Sequence, residues 1–176
     1  MTDQDAERSH ASPPAAQRVI ELELNGVAQR FPVSPTTVLL DLLREQAELT
    51  GAKRGCEMGN CGACTISLDG KSAYSCLVLA SECDGRKVDT VEGLATGDQL
   101  HPLQQAFIDK DAFQCGYCTP GQLMSLSCLF EKNKSPDENA IVQATSGNLC
   151  RCGAYRHIRD AALQVAGTAD EQNREG

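Results

Sequence analysis

Residues 55–76 read GCEMGNCGACTISLDGKSAYSC, and the rest of the chain is best understood outward from them. Four cysteines stand at Cys56, Cys61, Cys64 and Cys76, a C-x4-C-x2-C run closed by a fourth thiol after eleven intervening residues. Gly55, Gly59 and Gly62 break any helical or strand period, so residues 55–64 form a loop. A glycine-rich loop can wrap closely and aim backbone N–H groups at what it encloses. Behind it, residues 65–68 and 71–76 flank Asp69-Gly70, a two-residue hairpin signal. The loop gathers three thiols locally and a strand end delivers the fourth.

That spacing is diagnostic. Three cysteines in an x4/x2 run with a distant fourth form the plant-type pattern of a [2Fe–2S] centre, whose four terminal ligands are thiolates. A structural zinc site is the competing reading. Zinc knuckles, however, use two separated C-x2–4-C pairs, which this run fits poorly. The first set therefore points to an iron–sulfur centre and to electron transfer.

A second set of four lies at Cys115-x2-Cys118 and Cys150-Arg151-Cys152. Alone it is ambiguous. C-x2-C can be a redox dithiol, but that leaves Cys150 and Cys152 without a role. Zinc stays open on spacing, although C-x-C is tighter than an ordinary knuckle. The two remaining thiols, Cys83 and Cys128, read as small buried hydrophobes; Cys128 follows Met124 by four residues on an expected helix. A Rieske centre needs two histidine ligands. His10, His101 and His157 are scattered, and each set already has four thiols, so that reading is rejected. No nucleotide fingerprint or nucleophile–base pair is present.

Upstream, residues 19–24 alternate with Ile20, Leu22 and Leu24 on one face, and Asn25-Gly26 signals a type I′ turn. Residues 27–33 alternate again through Val27, Phe31 and Val33. Residues 37–49 switch to helical spacing, with Leu39, Leu40 and Leu43 together and Gly51 as the stop. A last short strand is expected over 86–90. Two hairpins around one helix predict an α+β chain whose first domain, 18–92, is a plant-type ferredoxin β-grasp. Residues 91–99, VEGLATGDQ, read as a linker. Beyond them strand signals stop. Leu100, Leu103 and Phe107 mark a helix; Thr119 as N-cap with Pro120 at N1 opens another, striped by Leu123, Leu126 and Phe130. Ser135-Pro136-Asp137-Glu138 reads as a capping box before Ile141 and Ala144, and Tyr155, Ile158, Ala162 and Val165 mark a fourth helix. Residues 98–167 are thus expected to be an all-α four-helix domain with cluster ligands in its interhelical loops. The polar segments 1–17 and 168–176 are expected to be disordered and loose.

Composition narrows the setting. The 176 residues carry a formal charge of −8, with 4% aromatics and no Trp, which suits two small cores. Two oxidised [2Fe–2S] sites with four thiolates each would take the charge to about −12. Such a surface suits neither nucleic acid nor an anionic membrane and favours a protein partner with basic patches. No apolar run approaches membrane-spanning length. Residues 1–18 show no secretory apolar region and no twin Arg. Ten cysteines stay below the density of small disulfide scaffolds. A reducing cytoplasm is expected, where clustered thiols are metal ligands.

Three stretches together resemble a family: GCEMGNCGACTISLDG at 55–70, QCGYCTPGQ at 114–122 and GNLCRCGAY at 147–155. They look like the iron–sulfur subunit of the xanthine oxidase family of molybdenum hydroxylases, over about 18–166. All eight ligand positions match. The resemblance implies a large partner subunit holding a molybdenum–pterin cofactor, of the cytosine dinucleotide type, together with the substrate. It implies a medium subunit holding FAD, in a heterotrimer or a dimer of heterotrimers. Electrons would pass from molybdenum through the 115/118/150/152 cluster, then the 56/61/64/76 cluster, to FAD. Gln114 would hydrogen-bond the pterin, and Cys152 would be both ligand and pterin contact. Taken alone, Gln114 reads as a helix cap or a solvated side chain. Arg151 is either a solvated loop charge or a cation that stabilises the anionic cluster, and Tyr117 reads as packing. A freestanding two-cluster ferredoxin is the rival class, and co-purification in a stable complex separates the two. A zinc protein is separated by iron and sulfide assays. The substrate lies beyond this chain.

Overall fold

The computed structural model describes residues 17–174. The disordered tail expected over 1–17 lies, except for Gln17, outside them. β1 (Arg18–Leu24) and β2 (Val27–Val33) form an antiparallel hairpin closed by Leu24 opposite Val27. Its turn residues, Asn25 and Gly26, both have positive φ, at 50° and 80°. That is the type I′ geometry whose twist matches the flanking strands. β3 (Thr65–Leu68) and β4 (Lys71–Tyr74) repeat the device with Asp69 at 50° and Gly70 at 73°. β5 (Lys87–Asp89) joins the hairpins, parallel to β1 and antiparallel to β3, giving one mixed sheet of order β2-β1-β5-β3-β4. Ile20, Leu22, Leu24, Phe31 and Val33 face one core with Ile66, Leu68 and Val88. Val27, expected on that face, is 59% exposed. It begins its strand directly after the turn, where no neighbouring element covers it.

The helix expected over 37–49 is shorter and differently wound. α1 (Leu39–Asp41) runs straight into a π-type segment, Leu42–Gln46. Ala47 N–H reaches back to the carbonyl of Leu42, and Leu49 N–H to that of Leu43, so the backbone widens. Glu48 then turns left-handed, φ 57°, and ends the element before Gly51. Leu39, Leu40, Leu42 and Leu43 are all buried against the sheet. Four leucines of this short element thus face the sheet.

The second core belongs to α2 (Pro102–Asp109), α3 (Thr119–Lys132), α4 (Glu138–Thr145) and α5 (Tyr155–Arg174). Leu103, Phe107, Leu123, Leu126, Phe130, Ile141 and Ile158 fill it. Three helix starts differ from expectation. Leu100 is exposed and precedes α2; His101 Nδ1 caps that helix by accepting from Leu103 N–H. Thr119 is the first helical residue of α3, with Cys118 in the capping position. Asp137, not Ser135, caps α4 by accepting the N–H of Ala140 at 2.8 Å. Both residue types cap well, and Ser135 instead donates its N–H to Asn133 Oδ1. At the C-terminus α5 continues to Arg174, so the loose tail expected from 168 is corrected to helix over most of its length. One glycine at 167 costs about 1 kcal/mol, and the Ala, Glu, Gln and Arg after it are good helix formers.

The stretch 91–99 is more than a tether. It holds a 3₁₀ turn, Val91–Gly93, and Val91 and Leu94 pack on the helical core. Glu92 meanwhile accepts the N–H of Gly51 at 2.7 Å from the sheet domain. No helix among the described residues is long and apolar enough to cross a membrane.

Candidate metal centres and the seam between them

The first cysteine set sits where the 55–64 loop meets the turn after β4. Cys64 Sγ lies 3.4 Å from Cys76 Sγ, and, beside the backbone N–H groups of Met58 and Asn60, Cys61 is close enough to Cys56 to lower its thiol's pKa. Cys76 rides on a 3₁₀ turn, Ser75–Leu77, just beyond the strand end where it was expected. Ser75 Oγ anchors that turn by donating to the Cys64 carbonyl at 2.8 Å. Backbone N–H groups converge on Cys56. Those of Met58 and Asn60 bring its thiol down to about 7. Burial pushes Cys64 the other way, up to about 11. A thiol held neutral by burial becomes a thiolate only against a nearby positive centre, which a metal ligand site supplies.

The second set is built at the start of α3 and in the loop before α5. Second to the Tyr117 N–H, Cys152 lowers the thiol pKa of Cys115, and second to burial, Cys150 adds to the rise at Cys118, so the two ligand segments face each other. Cys115 is exposed; the Tyr117 N–H, and then Cys152, hold its thiol below the usual range. Burial pushes Cys118 up to about 12. Cys150 Sγ accepts the Ala154 N–H at 3.3 Å, while Cys150 N–H donates to Tyr155 Oη at 2.8 Å. Gln114 and Arg151 are both exposed beside this set. Cys83 and Cys128 are both buried, as their sequence context implies.

Cys64 and Cys76 are in sulfur contact, and in both sets neighbouring thiols influence one another's protonation. Among the described residues no three His, Cys, Asp or Glu side chains gather as a single-ion site. Two irons sharing four thiolates take two apiece, so the Cys64–Cys76 pair fits a two-iron core. The eight cysteines read from the sequence as ligands lie in two groups of four.

The two sets meet at a seam whose main residue the sequence did not reveal. Asn148 is 3% exposed. Its Nδ2 donates to the Gly62 carbonyl at 2.9 Å and to Thr65 Oγ1 at 3.0 Å. Its Oδ1 accepts from Ser125 Oγ at 2.7 Å, and its carbonyl from Gln122 Nε2 at 2.9 Å. It therefore bonds the first cysteine loop and α3 at once. Next to it, Leu149 N–H donates to the Cys61 carbonyl at 2.8 Å. Gly62 and Gly121 allow this approach: a Cβ on Gly62 would strike the Gly147 carbonyl, and one on Gly121 would strike the Gly62 carbonyl. Tyr74 Oη donates to the Gly147 carbonyl at 3.0 Å. The only local hint in the sequence was Gly147-Asn148 before the second ligand pair, which reads equally well as an ordinary turn.

Two family models divide the chain. A 2Fe-2S iron-sulfur cluster binding domain matches residues 22–95, and a [2Fe-2S] binding domain matches residues 90–163. The nicotine 6-hydroxylase small subunit of Paenarthrobacter nicotinovorans is 47% identical over 163 residues, covering 92% of this chain and 98% of that subunit. This chain belongs to the iron–sulfur subunits of the xanthine oxidase family of molybdenum hydroxylases. The aldehyde oxidoreductase iron–sulfur-binding subunit of Escherichia coli (strain K12) is a further relative, 41% identical over 89% of this chain and 77% of that subunit. In solved structures, quinoline 2-oxidoreductase from Pseudomonas putida 86 contains a chain of the same fold. It has a TM-score of 0.82 and 44% identity over 88% of this chain and 97% of that one. As an iron–sulfur subunit of this family, the chain is part of an oxidoreductase and not a catalyst alone. The zinc and dithiol readings of the second set give way to the cluster-binding domain matched over it.

Proposed function

We propose that this subunit relays electrons inside a molybdenum-dependent hydroxylase or dehydrogenase, between a molybdenum–pterin centre and FAD held by partner subunits. Cys56, Cys61, Cys64 and Cys76 would hold one [2Fe–2S] cluster, and Cys115, Cys118, Cys150 and Cys152 the other. When bound, such clusters take up and release electrons singly. The carrying observation is the Leu149 N–H bond to the Cys61 carbonyl. It puts one hydrogen bond between the backbone of a first-set ligand and the residue preceding Cys150. The chain's own residues thus hold the two sites in contact and in fixed register.

The exposure of Cys115 and Gln114 supports the second set as the one turned toward a partner's cofactor. In this reading Gln114 would offer its amide to the pterin and Cys152 would touch it. The first set has its own exposed apolar surround, Met58 at 65% and Leu77 at 61%, which suits docking on the FAD side. The pterin is read as the cytosine dinucleotide form, the assembly as a heterotrimer or its dimer, and the compartment as the cytoplasm. Relatives are named for nicotine, caffeine, nicotinate and aldehydes, which supports an N-heterocycle or an aldehyde as the complex's substrate class. Native purification tests the reading. About four iron and four sulfide per chain are expected from two [2Fe–2S] sites, with molybdenum and flavin in the same complex. Half that iron, or a chain that purifies alone, would overturn it.

A further inference from the structure

Tyr117 lies between two proposed ligands, Cys115 and Cys118, yet its side chain leaves its own domain. Its hydroxyl donates to the carbonyl of Arg54 at 2.6 Å, across the seam and 63 positions away. Arg54 is a firm anchor: its guanidinium bridges Asp41 at 2.8 Å, Glu57 at 2.8 Å and Glu45 at 3.4 Å. Asp41 belongs to α1 and Glu57 to the first cysteine loop. The bonded carbonyl thus sits two residues before Cys56, on backbone held from both sides. Gly55 follows it, where a Cβ would come within 2.9 Å of Cys61 Sγ and 3.9 Å of Tyr117 Cε1.

Beneath the ring is a gap of about 150 Å³ lined by Gly55, Cys61, Cys115, Cys118, Leu149 and Arg151, among others. Its walls come from both cysteine sets. Tyr117 forms one side and remains 48% exposed, so its outer face meets solvent and its inner face meets the gap. A hydroxyl is not needed to fill such a place; a phenyl ring of the same shape would cover it. The hydrogen bond to Arg54 therefore calls for a separate account.

We infer that Tyr117 is a positioning residue for electron transfer: its hydroxyl adds a latch between the two cysteine loops, and its ring walls the gap that both cysteine sets line. Asn148 joins the loops in the buried seam, Leu149 N–H joins them at the edge of the gap, and Tyr117 adds a tie from the solvent-exposed wall of the same gap. Each further tie makes it harder for the loops to part. A fixed separation fixes how strongly the charge at one site acts on the other.

The inference rests on both sets holding clusters, and the test keeps the two apart. In the purified complex, Tyr117→Phe removes the hydroxyl alone, and Tyr117→Ala removes the ring as well. Two readouts are taken at matched iron content: the rate at which an iron chelator bleaches the cluster absorbance, and the spin–spin interaction between the two reduced clusters. Tyr117→Phe should keep about four iron and bleach about fivefold faster, the factor for one net hydrogen bond of ~1 kcal/mol. Tyr117→Ala should bleach faster still and change the spin–spin interaction. Parental bleaching and parental spectra in Tyr117→Phe would overturn the latch. Equal iron loss in both variants would make Tyr117 a folding residue and overturn it too. If the parent complex itself holds fewer than four iron, the two-cluster reading fails first, independently of Tyr117.

Discussion

Replacing Asn148 by Ala should loosen the contact between the domains more than any other single truncation of a polar side chain in the seam. Three side-chain hydrogen bonds disappear, to the Gly62 carbonyl, Thr65 Oγ1 and Ser125 Oγ. Their consequences differ. Thr65 Oγ1 still donates to the Gly62 carbonyl at 2.6 Å, so those two groups keep a partner. Ser125 is 5% exposed and its hydroxyl loses the acceptor it has in the structure. At ~1 kcal/mol per net hydrogen bond the loss is about 3 kcal/mol, with the orphaned hydroxyl among its larger parts. For a chain of this size that corresponds to a fall of roughly 6–12 °C in the unfolding midpoint. Loss of cluster absorbance on heating measures it in the assembled complex, at one fixed scan rate because cluster loss is irreversible. Ser125→Ala supplies the control. In the double variant no hydroxyl is stranded, so the two losses should fall short of additivity by about 1 kcal/mol. A midpoint within about 1 °C of the parent, or strict additivity, would show that Asn148 does not hold the seam as described.

Three further outcomes are expected. Gly121→Ala drives a methyl into the Gly62 carbonyl, which no rotamer change relieves; it should cost about 1–3 kcal/mol, read by the same thermal assay, whereas Gly153→Ala, with open space around it, should not act through a clash. Gln114→Ala should leave iron at the parental level while lowering molybdenum content or turnover, and normal values of both would remove its proposed role. Burial holds Asp89 above the usual carboxylate range. A raised acid favours folding below its unfolded pKa, and that benefit is lost as pH rises through the folded pKa. Asp89→Asn should therefore stabilise the protein at about pH 8, by an amount that shrinks toward acid and vanishes below the ordinary aspartate value of ~3.9. A variant less stable at about pH 8 than the parent would contradict the assignment to burial.

What could be read from the sequence was whatever depends on covalent spacing or on a few residues in a row. The first set was legible as a unit because a C-x4-C-x2-C run constrains geometry before any folding, whereas the second was ambiguous by spacing and spoke only through the family resemblance. Both hairpins were legible because Asn-Gly and Asp-Gly tolerate positive φ at two successive positions, and the structure shows it at both. The helix over Leu39–Gln46 was legible in place but not in length, since nothing local announces that Glu48 turns left-handed. The cap of α4 was misassigned because serine and aspartate offer the same acceptor two residues apart. Asn148 and the Tyr117 hydroxyl could not be read at all. Their partners lie 63 to 86 positions away, and a polar side chain bears no mark of whether it will face water or another loop. Tyr117 read as packing, and half of its role is packing.

The bond from Leu149 to Cys61 also has a bearing on maturation. Leu149 and Asn148 precede Cys150 and Cys152 along the chain, and both dock on the loop that carries Cys61. The last pair of thiols thus takes its place on a platform that the earlier loop provides. Biogenesis would then couple the two centres: each cysteine loop closes fully only against the other.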